Sequence, residues 1–389
     1  MELREGASHV GLLGPAQFEM PKKQPHRISV GQPVLGGNER KYLNDCLDQN
    51  FLTHGPYVTK FEERFCKLVY TRHALACSNG TTALHLALLA LGLGPGDEVL
   101  IPSLTYVATA NAVAYCGATP VLCDVEDGTW TISGEEIMRK RSKRTKGIIP
   151  VHLYGHPADM DYINSLAMHY GWWVVEDAAE AIGAAYKGRP VGALGTLSTF
   201  SFYGNKTITT GEGGMVTTND QRLHARMFML RGQGMSQTQR YFHPMVGYNY
   251  RMTNMQGAIG CAQLERLGGF LDRRAEIWHT YSNWFRQNEI EIQTTSPNVT
   301  HGHWMFTILT PPGVDRDSVM QFLDEEGIES RPAFVPMHRL PMYADSGLYP
   351  ITNSVSLRGI NLPTHAALTE DDLVRVCTAT LEGIRRHNG

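Results

Sequence analysis

Short apolar runs alternate with amphipathic stretches along most of the chain. His73–Cys77, Glu98–Ile101, Thr119–Asp124, Lys146–Val151 and Trp172–Glu176 are brief, mostly apolar, and bounded by turn residues, which predicts strands. Between them apolar positions recur at helical spacing. Tyr42, Leu43, Cys46 and Leu47 follow Gly37-Asn38-Glu39, and further helices are expected over Val58–Leu68, Ala83–Leu89, a segment through Asn111 and Tyr115, and Asp159–Tyr170. Regular strand–helix alternation predicts a mostly parallel α/β sheet with helices on both faces. A strand at Met215–Thr218 and a helix over Asp220–Arg231 continue the pattern. A long helical region over Asn254–Phe285 carries Gly268-Gly269 as an expected kink. The last hundred residues read as a smaller α/β unit, with a strand over His303–Leu309, a helix over Arg316–Glu325 and a closing helix over Glu370–Arg385.

Two stretches carry chemistry. Leu197 to Tyr203 reads as a strand that breaks into a polar turn around Lys206 and closes on Gly211-Glu212-Gly213-Gly214. Burial disfavours a charged lysine, so a lysine at the end of an apolar strand either reaches back to water or serves as a neutral Schiff-base nucleophile. Upstream, Gly171 to Glu180 is a near-continuous apolar run ending in carboxylates, the pattern of a doubly covered strand whose C-terminal end opens on a site. Asp177, 29 residues before Lys206, is by itself also a plausible helix N-cap. Together the two residues make up what a pyridoxal phosphate site requires: an amine to hold the cofactor and a carboxylate to pair with its pyridine nitrogen. Asn79-Gly80-Thr81-Thr82 leads directly into an apolar helix, and a small-residue turn at a helix N-terminus is an anion site as well as a simple cap. With Lys206 and Asp177 present it becomes the expected phosphate cradle, with donors from the backbone at Gly80 and Thr81 and a hydroxyl from Ser201. It is neither a Walker A loop nor a dinucleotide GxGxxG.

These motifs resemble the DegT/DnrJ/EryC1/StrS nucleotide-sugar aminotransferases, fold-type I enzymes that use pyridoxal phosphate. The resemblance rests on Glu176-Asp177-Ala178-Ala179-Glu180, the Ser201–Gly214 run with Lys206, Val151-His152-Leu153-Tyr154-Gly155 and Ser78-Asn79-Gly80-Thr81-Thr82-Ala83-Leu84, in the family's order and spacing, from about Ile28 to the end. Gly36–Tyr42, Gly247–Asn254 and Gly359–Pro363 resemble the branch that aminates 4-keto-6-deoxy sugar nucleotides. The resemblance implies a ping-pong transamination from L-glutamate to a 4-keto-6-deoxy nucleotide sugar, serving polysaccharide or O-antigen biosynthesis. It also implies several site roles. Tyr106 would stack on the cofactor ring, although as a sequence position it also reads as core filler. Glu180 would lie beside the ring hydroxyl. Asn249 would cross a homodimer interface to the neighbouring phosphate, with Arg251 bracing its loop. Thr53 and Gly55, in the Phe51–Tyr57 loop, would line the sugar pocket. His338 would approach the substrate, and reads equally as a surface histidine. His152 reads as a hydrogen-bonded structural residue. Aminotransferases acting at C3 of a keto sugar or on a keto-cyclitol would share every cofactor residue. The dehydratase branch replaces the lysine with histidine, which Lys206 argues against, and a non-catalytic regulator is the remaining alternative.

Composition narrows the setting. The chain has 389 residues, 42% of them hydrophobic, with a net charge of −3, so neither a nucleic-acid footprint nor a polybasic membrane face is implied. Seven cysteines without a CxxC pair fit reduced thiols of a cytoplasmic protein, with no metal site. The expected boundaries are a loosely ordered extension over 1–26, a large cofactor-binding domain over 27–260, and a long helix with a small C-terminal domain over 261–389.

Overall fold

The computed structural model of the chain describes residues 26–387. Seven strands, β1 (His73–Cys77), β2 (Glu98–Pro102), β3 (Thr119–Cys123), β4 (Thr145–Ile148), β5 (Trp173–Asp177), β6 (Leu197–Ser201) and β7 (Gly214–Thr218), form one sheet in the order β1-β7-β6-β5-β4-β2-β3. Neighbours pair in parallel from β6 across to β3, and β7 runs antiparallel to both β1 and β6. Every residue of β2, β6 and β7 is buried, as a sheet covered on both faces requires. Helices Gly80–Leu91, Ala108–Tyr115 and Met160–Tyr170 are among those connecting the strands. Phe61 and Phe65 of helix Pro56–Val69 meet Phe202 and Phe200 edge-to-face, with centroids 4.9 and 4.8 Å apart. That aromatic cluster anchors the strand from which Lys206 departs.

A second, antiparallel sheet takes β8 (Glu291–Ile292), β9 (Phe306–Leu309), β10 (Arg331–Pro332) and β11 (Gly359–Leu362) in the order β8-β9-β11-β10. Tyr281 and Phe285 of helix Leu267–Gln287 pack on Phe306 of β9. Helices Arg316–Glu325 and Glu370–Arg386 contribute Val319, Leu323, Leu373 and Val376 to the same core. Three two-residue strands, Ala185–Tyr186, Arg189–Pro190 and Val299–Thr300, tie the loop after β5 to the segment before β9.

The structure departs from the sequence pattern in several places. The helical region after Asn254 is two helices, Asn254–Glu265 and Leu267–Gln287. They part at Arg266 (φ −111°, ψ 2°), whose N–H turns to the carbonyl of Gln263, three residues back. Gly268 and Gly269 sit inside the second helix, not at a kink. The strand expected from His303 begins at Phe306, because His303 takes a left-handed backbone (φ 47°) and its N–H closes onto the His301 ring at 2.8 Å. Helices Gly134–Lys140 and Pro350–Arg358 lack a strong apolar stripe and were not foreseen. The expected N-terminal extension lies outside the described residues except for His26, whose ring bonds Asp372 at 2.8 Å. No helix among the described residues is long and apolar enough to cross a membrane.

Candidate active site

The C-terminal ends of β5 and β6 lie side by side, with Asp177 opposite Thr199 in parallel register. Asp177 accepts 2.8 Å from the Thr109 hydroxyl and 3.3 Å from the N–H of Ala179. Thr109 is itself within 3.0 Å of Thr105, so the helix after β2 orients the carboxylate. Burial pushes the Asp177 carboxyl up, against these bonds and the charge of Lys206.

One residue earlier, Glu176 accepts from Leu194 N–H (2.7 Å), Gly195 N–H (2.8 Å) and Ser198 O–H (2.5 Å) on one oxygen, and from Gly192 N–H (3.1 Å) and His152 Nε2 (3.0 Å) on the other. The N–H of Ala158 donates to His152 Nδ1 at 3.1 Å, which leaves the proton on Nε2, facing Glu176. His152 is therefore held on both ring nitrogens inside the fold.

Beyond β6 the chain turns, with the Lys206 N–H donating to Tyr203 O at 2.9 Å. The Lys206 amine is buried. It lies 3.7 Å from Glu180 Oε1 and 3.7 Å from the centroid of the Trp304 ring. Burial pushes its pKa down, and Glu180 and Asp177 pull it back up. Burial likewise pushes Glu180 up to about 6. The second oxygen of Glu180 accepts the Tyr154 N–H at 2.8 Å, and Tyr154 holds a left-handed backbone (φ 57°) to present that N–H, a strain that surrounding contacts must sustain.

Helix Gly80–Leu91 starts against the end of β6. Asn79 and Thr82 cap one another reciprocally, while the N–H groups of Gly80 and Thr81 have no partner among the described residues. A Cβ on Gly80 would fall 2.9 Å from Ser201 Cβ and 3.2 Å from its hydroxyl. Two open N–H groups at a helix start, beside a serine hydroxyl, suit a phosphate.

The family model of the DegT/DnrJ/EryC1/StrS aminotransferases matches residues 33–381. The chain belongs to that family. It is 50% identical over 364 residues to the GDP-perosamine synthase of Caulobacter vibrioides, covering 91% of this chain and 97% of that protein. It is 45% identical over 357 residues to the GDP-perosamine synthase of Escherichia coli O157:H7, covering 91% and 98%. Spr1654 of Streptococcus pneumoniae, solved in its PLP form, superposes with a TM-score of 0.88 at 25% identity, covering 94% of this chain and all of that one. This member of the DegT/DnrJ/EryC1/StrS family is thus a pyridoxal phosphate-dependent sugar aminotransferase built on the fold-type I α/β architecture.

The donor set fits that cofactor: a buried amine, a buried carboxylate one strand over, and an open anion cradle. The structure draws Lys206, Glu180, Asp177, Ser201, Gly80 and Thr81 to these adjacent strand ends. Tyr106 is 58% exposed, so it is not core filler. It starts the turn that carries Thr109, whose N–H bonds the Tyr106 carbonyl at 3.2 Å. Asn249 faces outward, its side-chain oxygen accepting from Arg251 Nε at 3.2 Å. Its loop is held near the cradle, because the Ser78 N–H donates to Tyr250 O at 2.9 Å. Thr53 is exposed. Gly55 packs so tightly on Asn254 that a Cβ would fall 2.5 Å from its side chain, which gives this glycine a folding reason. His338, expected to approach the substrate, is held by the fold in this structure. Its Nδ1 lies 2.7 Å from Ser103 Oγ, its Nε2 lies 3.2 Å from Asn353, and its ring stacks on Tyr349 at 4.1 Å. No ring nitrogen remains free.

Sequence reasoning missed Thr109 and Trp304, and named Tyr154 only within a motif, without a role. Thr109 was within reach, three residues after Tyr106 in the same turn. Trp304 gives no local signal, since it meets Lys206 only through tertiary packing.

Proposed function

We propose that this enzyme moves the amino group of L-glutamate to the keto carbon of a GDP-linked 4-keto-6-deoxy sugar in a ping-pong order. One observation carries the sugar assignment: identities of 50% and 45% to two GDP-perosamine synthases over nine-tenths of the chain. We take the cofactor-binding part as residues 27–260 and the smaller part as 261–389. The working unit is a homodimer in the cytoplasm, in which Asn249 completes the phosphate site of a second copy.

Pyridoxal phosphate, when bound, supplies a carrier for the amine and a ring that takes up electrons from the α-carbon. Lys206 Nζ holds the cofactor and, once displaced by the donor, takes the proton from the donor's α-carbon as general base. It would give that proton up within the same half-reaction, and in the second half-reaction would take a proton up again and deliver it to the sugar carbon as general acid. Its burial favours the neutral amine the first task needs, and Glu180 supports the cation the second task needs. Asp177, fixed by Thr109 and Ala179, holds a proton on the cofactor's ring nitrogen. The Gly80 and Thr81 N–H groups and the Ser201 hydroxyl bind the phosphate, and the Tyr106 ring orients the cofactor by stacking. Glu180 also lies beside the ring hydroxyl. Thr53 and Gly55 line the sugar pocket.

The test is the visible spectrum of the purified protein with pyridoxal phosphate, before and after L-glutamate alone, followed by keto sugars on different nucleotides. The expected result is a band from lysine-bound cofactor that glutamate bleaches with equimolar 2-oxoglutarate, and that a GDP-linked 4-keto-6-deoxy sugar restores. Indifference to glutamate would overturn the donor assignment. Restoration only by UDP- or dTDP-linked sugars would overturn the nucleotide assignment.

A further inference from the structure

The Lys206 ammonium has no hydrogen-bond acceptor among the described residues. Glu180 Oε1 stands 3.7 Å away, an ion-pair distance but not a hydrogen bond. The amine also lies over the Trp304 indole, its centroid 3.7 Å away, well inside the range in which a ring face attracts a cation. No other lysine or arginine lies over a tryptophan among the described residues.

The indole is fixed on every side. Its ring N–H donates to the carbonyl of Asn205, the residue before Lys206, at 3.0 Å. Its backbone N–H donates to Tyr154 O at 3.1 Å, and its carbonyl accepts from the buried Arg274 at 2.8 Å. Its ring stacks against Tyr154 with 26° between planes. Trp304 is thereby tethered both to the lysine's own turn and to the residue that orients Glu180.

We propose that Trp304 is a positioning residue whose ring face, together with the Glu180 carboxylate, seats the protonated Lys206 amine. This rests on Lys206 being the proton carrier of the proposed reaction. A carrier must hold its proton between two transfers in a site whose burial disfavours the charge. A hydrogen-bonded carboxylate in direct contact would hold that proton too tightly. A ring face steadies the cation without accepting its proton. Tryptophan suits the place better than phenylalanine because its face attracts cations more strongly and its N–H is the tether to Asn205.

The test reads the amine itself, on the full-length chain stripped of cofactor, so its outcome does not depend on donor or sugar. Competitive acylation across pH, with the Lys206 peptide followed by mass spectrometry, gives the midpoint at which the amine loses its proton. All six tryptophans are replaced by mono-, di- and trifluorinated tryptophan, which drains the ring face while barely changing its shape. The other charged groups facing the amine, Glu180 and Asp177, are untouched. The midpoint is expected to fall stepwise with each fluorine, and Trp304→Leu to lower it by about one pH unit, roughly a tenfold loss in proton affinity. A midpoint unmoved across the fluorinated series overturns the proposal, as does a Trp304→Leu protein with native near-UV dichroism and the parent midpoint. If Trp304→Leu fails to fold, the fluorinated series decides alone. A failure here leaves the transamination reading standing, because bleaching by glutamate is measured separately.

Discussion

Glu176→Gln isolates the clamp beneath the candidate site with almost no change in shape. The carboxylate satisfies five donors: three N–H groups from the 192–195 turn, the Ser198 hydroxyl and His152 Nε2. A glutamine can turn its oxygen to the Leu194, Gly195 and Ser198 side, but its NH2 then meets the Gly192 N–H and the His152 Nε2–H. Moving the His152 proton to Nδ1 only transfers the conflict to the Ala158 N–H, which now donates there. Two buried donors are stranded at about 1–3 kcal/mol each, for a loss of about 2–6 kcal/mol. The acid dependence follows from the same contacts. Burial pushes the Glu176 carboxyl up, but the bonds from His152, Ser198 and Gly192 outweigh it and hold it below its usual value. That stabilisation is present above about pH 4.5 and is lost as pH falls through the lowered folded value. The deficit of the variant should therefore be largest near neutrality and shrink in acid. Urea unfolding at several pH values measures the deficit, and hydrogen exchange at residues 192–195 locates it. A loss under about 1 kcal/mol at neutral pH, with exchange at the turn unchanged, would refute the assignment of Glu176 as the hub.

Three further outcomes are expected. Lys206→Ala abolishes turnover while the protein still retains cofactor through the phosphate cradle, as dialysis against free cofactor and an activity assay would show. Gly80→Ala forces a methyl to within 2.9 Å of Ser201 Cβ; overpacking should cost the cofactor-free fold roughly 1–3 kcal/mol by urea unfolding, and the displaced Ser201 should weaken cofactor binding by titration. In the cofactor-free chain, Glu180, raised from 4.5 to about 6, binds more protons folded than unfolded across that interval, so its contribution to stability falls by about 2 kcal/mol as pH rises through it. Glu180→Gln should flatten that fall in a pH series of unfolding curves.

The elements legible in the sequence were those whose pattern was local. β1, β2, β3 and β5 stood out as short apolar runs between turn residues, and Asp177 and Ser201 end strands, Gly80 and Thr81 open the helix after β1, and Lys206 lies in the turn after β6. Reading the strand ends was enough to place them near one another, because parallel strands bring their carboxyl ends to one edge. Tertiary packing set the rest. Gly268-Gly269 suggested a kink, yet the helix breaks two residues earlier, where Arg266 closes a tighter turn and reaches back to the carbonyl of Val34. His338 lies in an aromatic loop that suggested a binding face, but Ser103 and Asn353 take both its ring nitrogens, and neither contact leaves a trace in the local sequence.

The segment His301–Trp304 shows why a site cannot be completed from its motifs alone. Trp304 is 99 positions from Asn205, to which its indole bonds. What brings it there is a set of backbone contacts: Gly302 N–H to Gly155 O, Trp304 N–H to Tyr154 O, and Arg274 under the carbonyls of His303, Trp304 and Thr364. Arg274 is buried without a carboxylate partner among the described residues, and burial pushes its pKa down to about 10. An isolated buried cation is costly unless its hydrogen bonds are made; here three carbonyl oxygens gather on Nη1, while Nε is buried without a partner among the described residues. The same carbonyls fix the backbone that carries Trp304. Tyr154, on the other side, is held left-handed with its N–H on Glu180 and its carbonyl on Trp304. The two groups flanking the Lys206 amine are thus joined through one strained residue. A shift in the 301–304 segment, which leads into β9, would move the ring face and the carboxylate together, so a segment that carries none of the motif residues shapes the charge environment of the lysine.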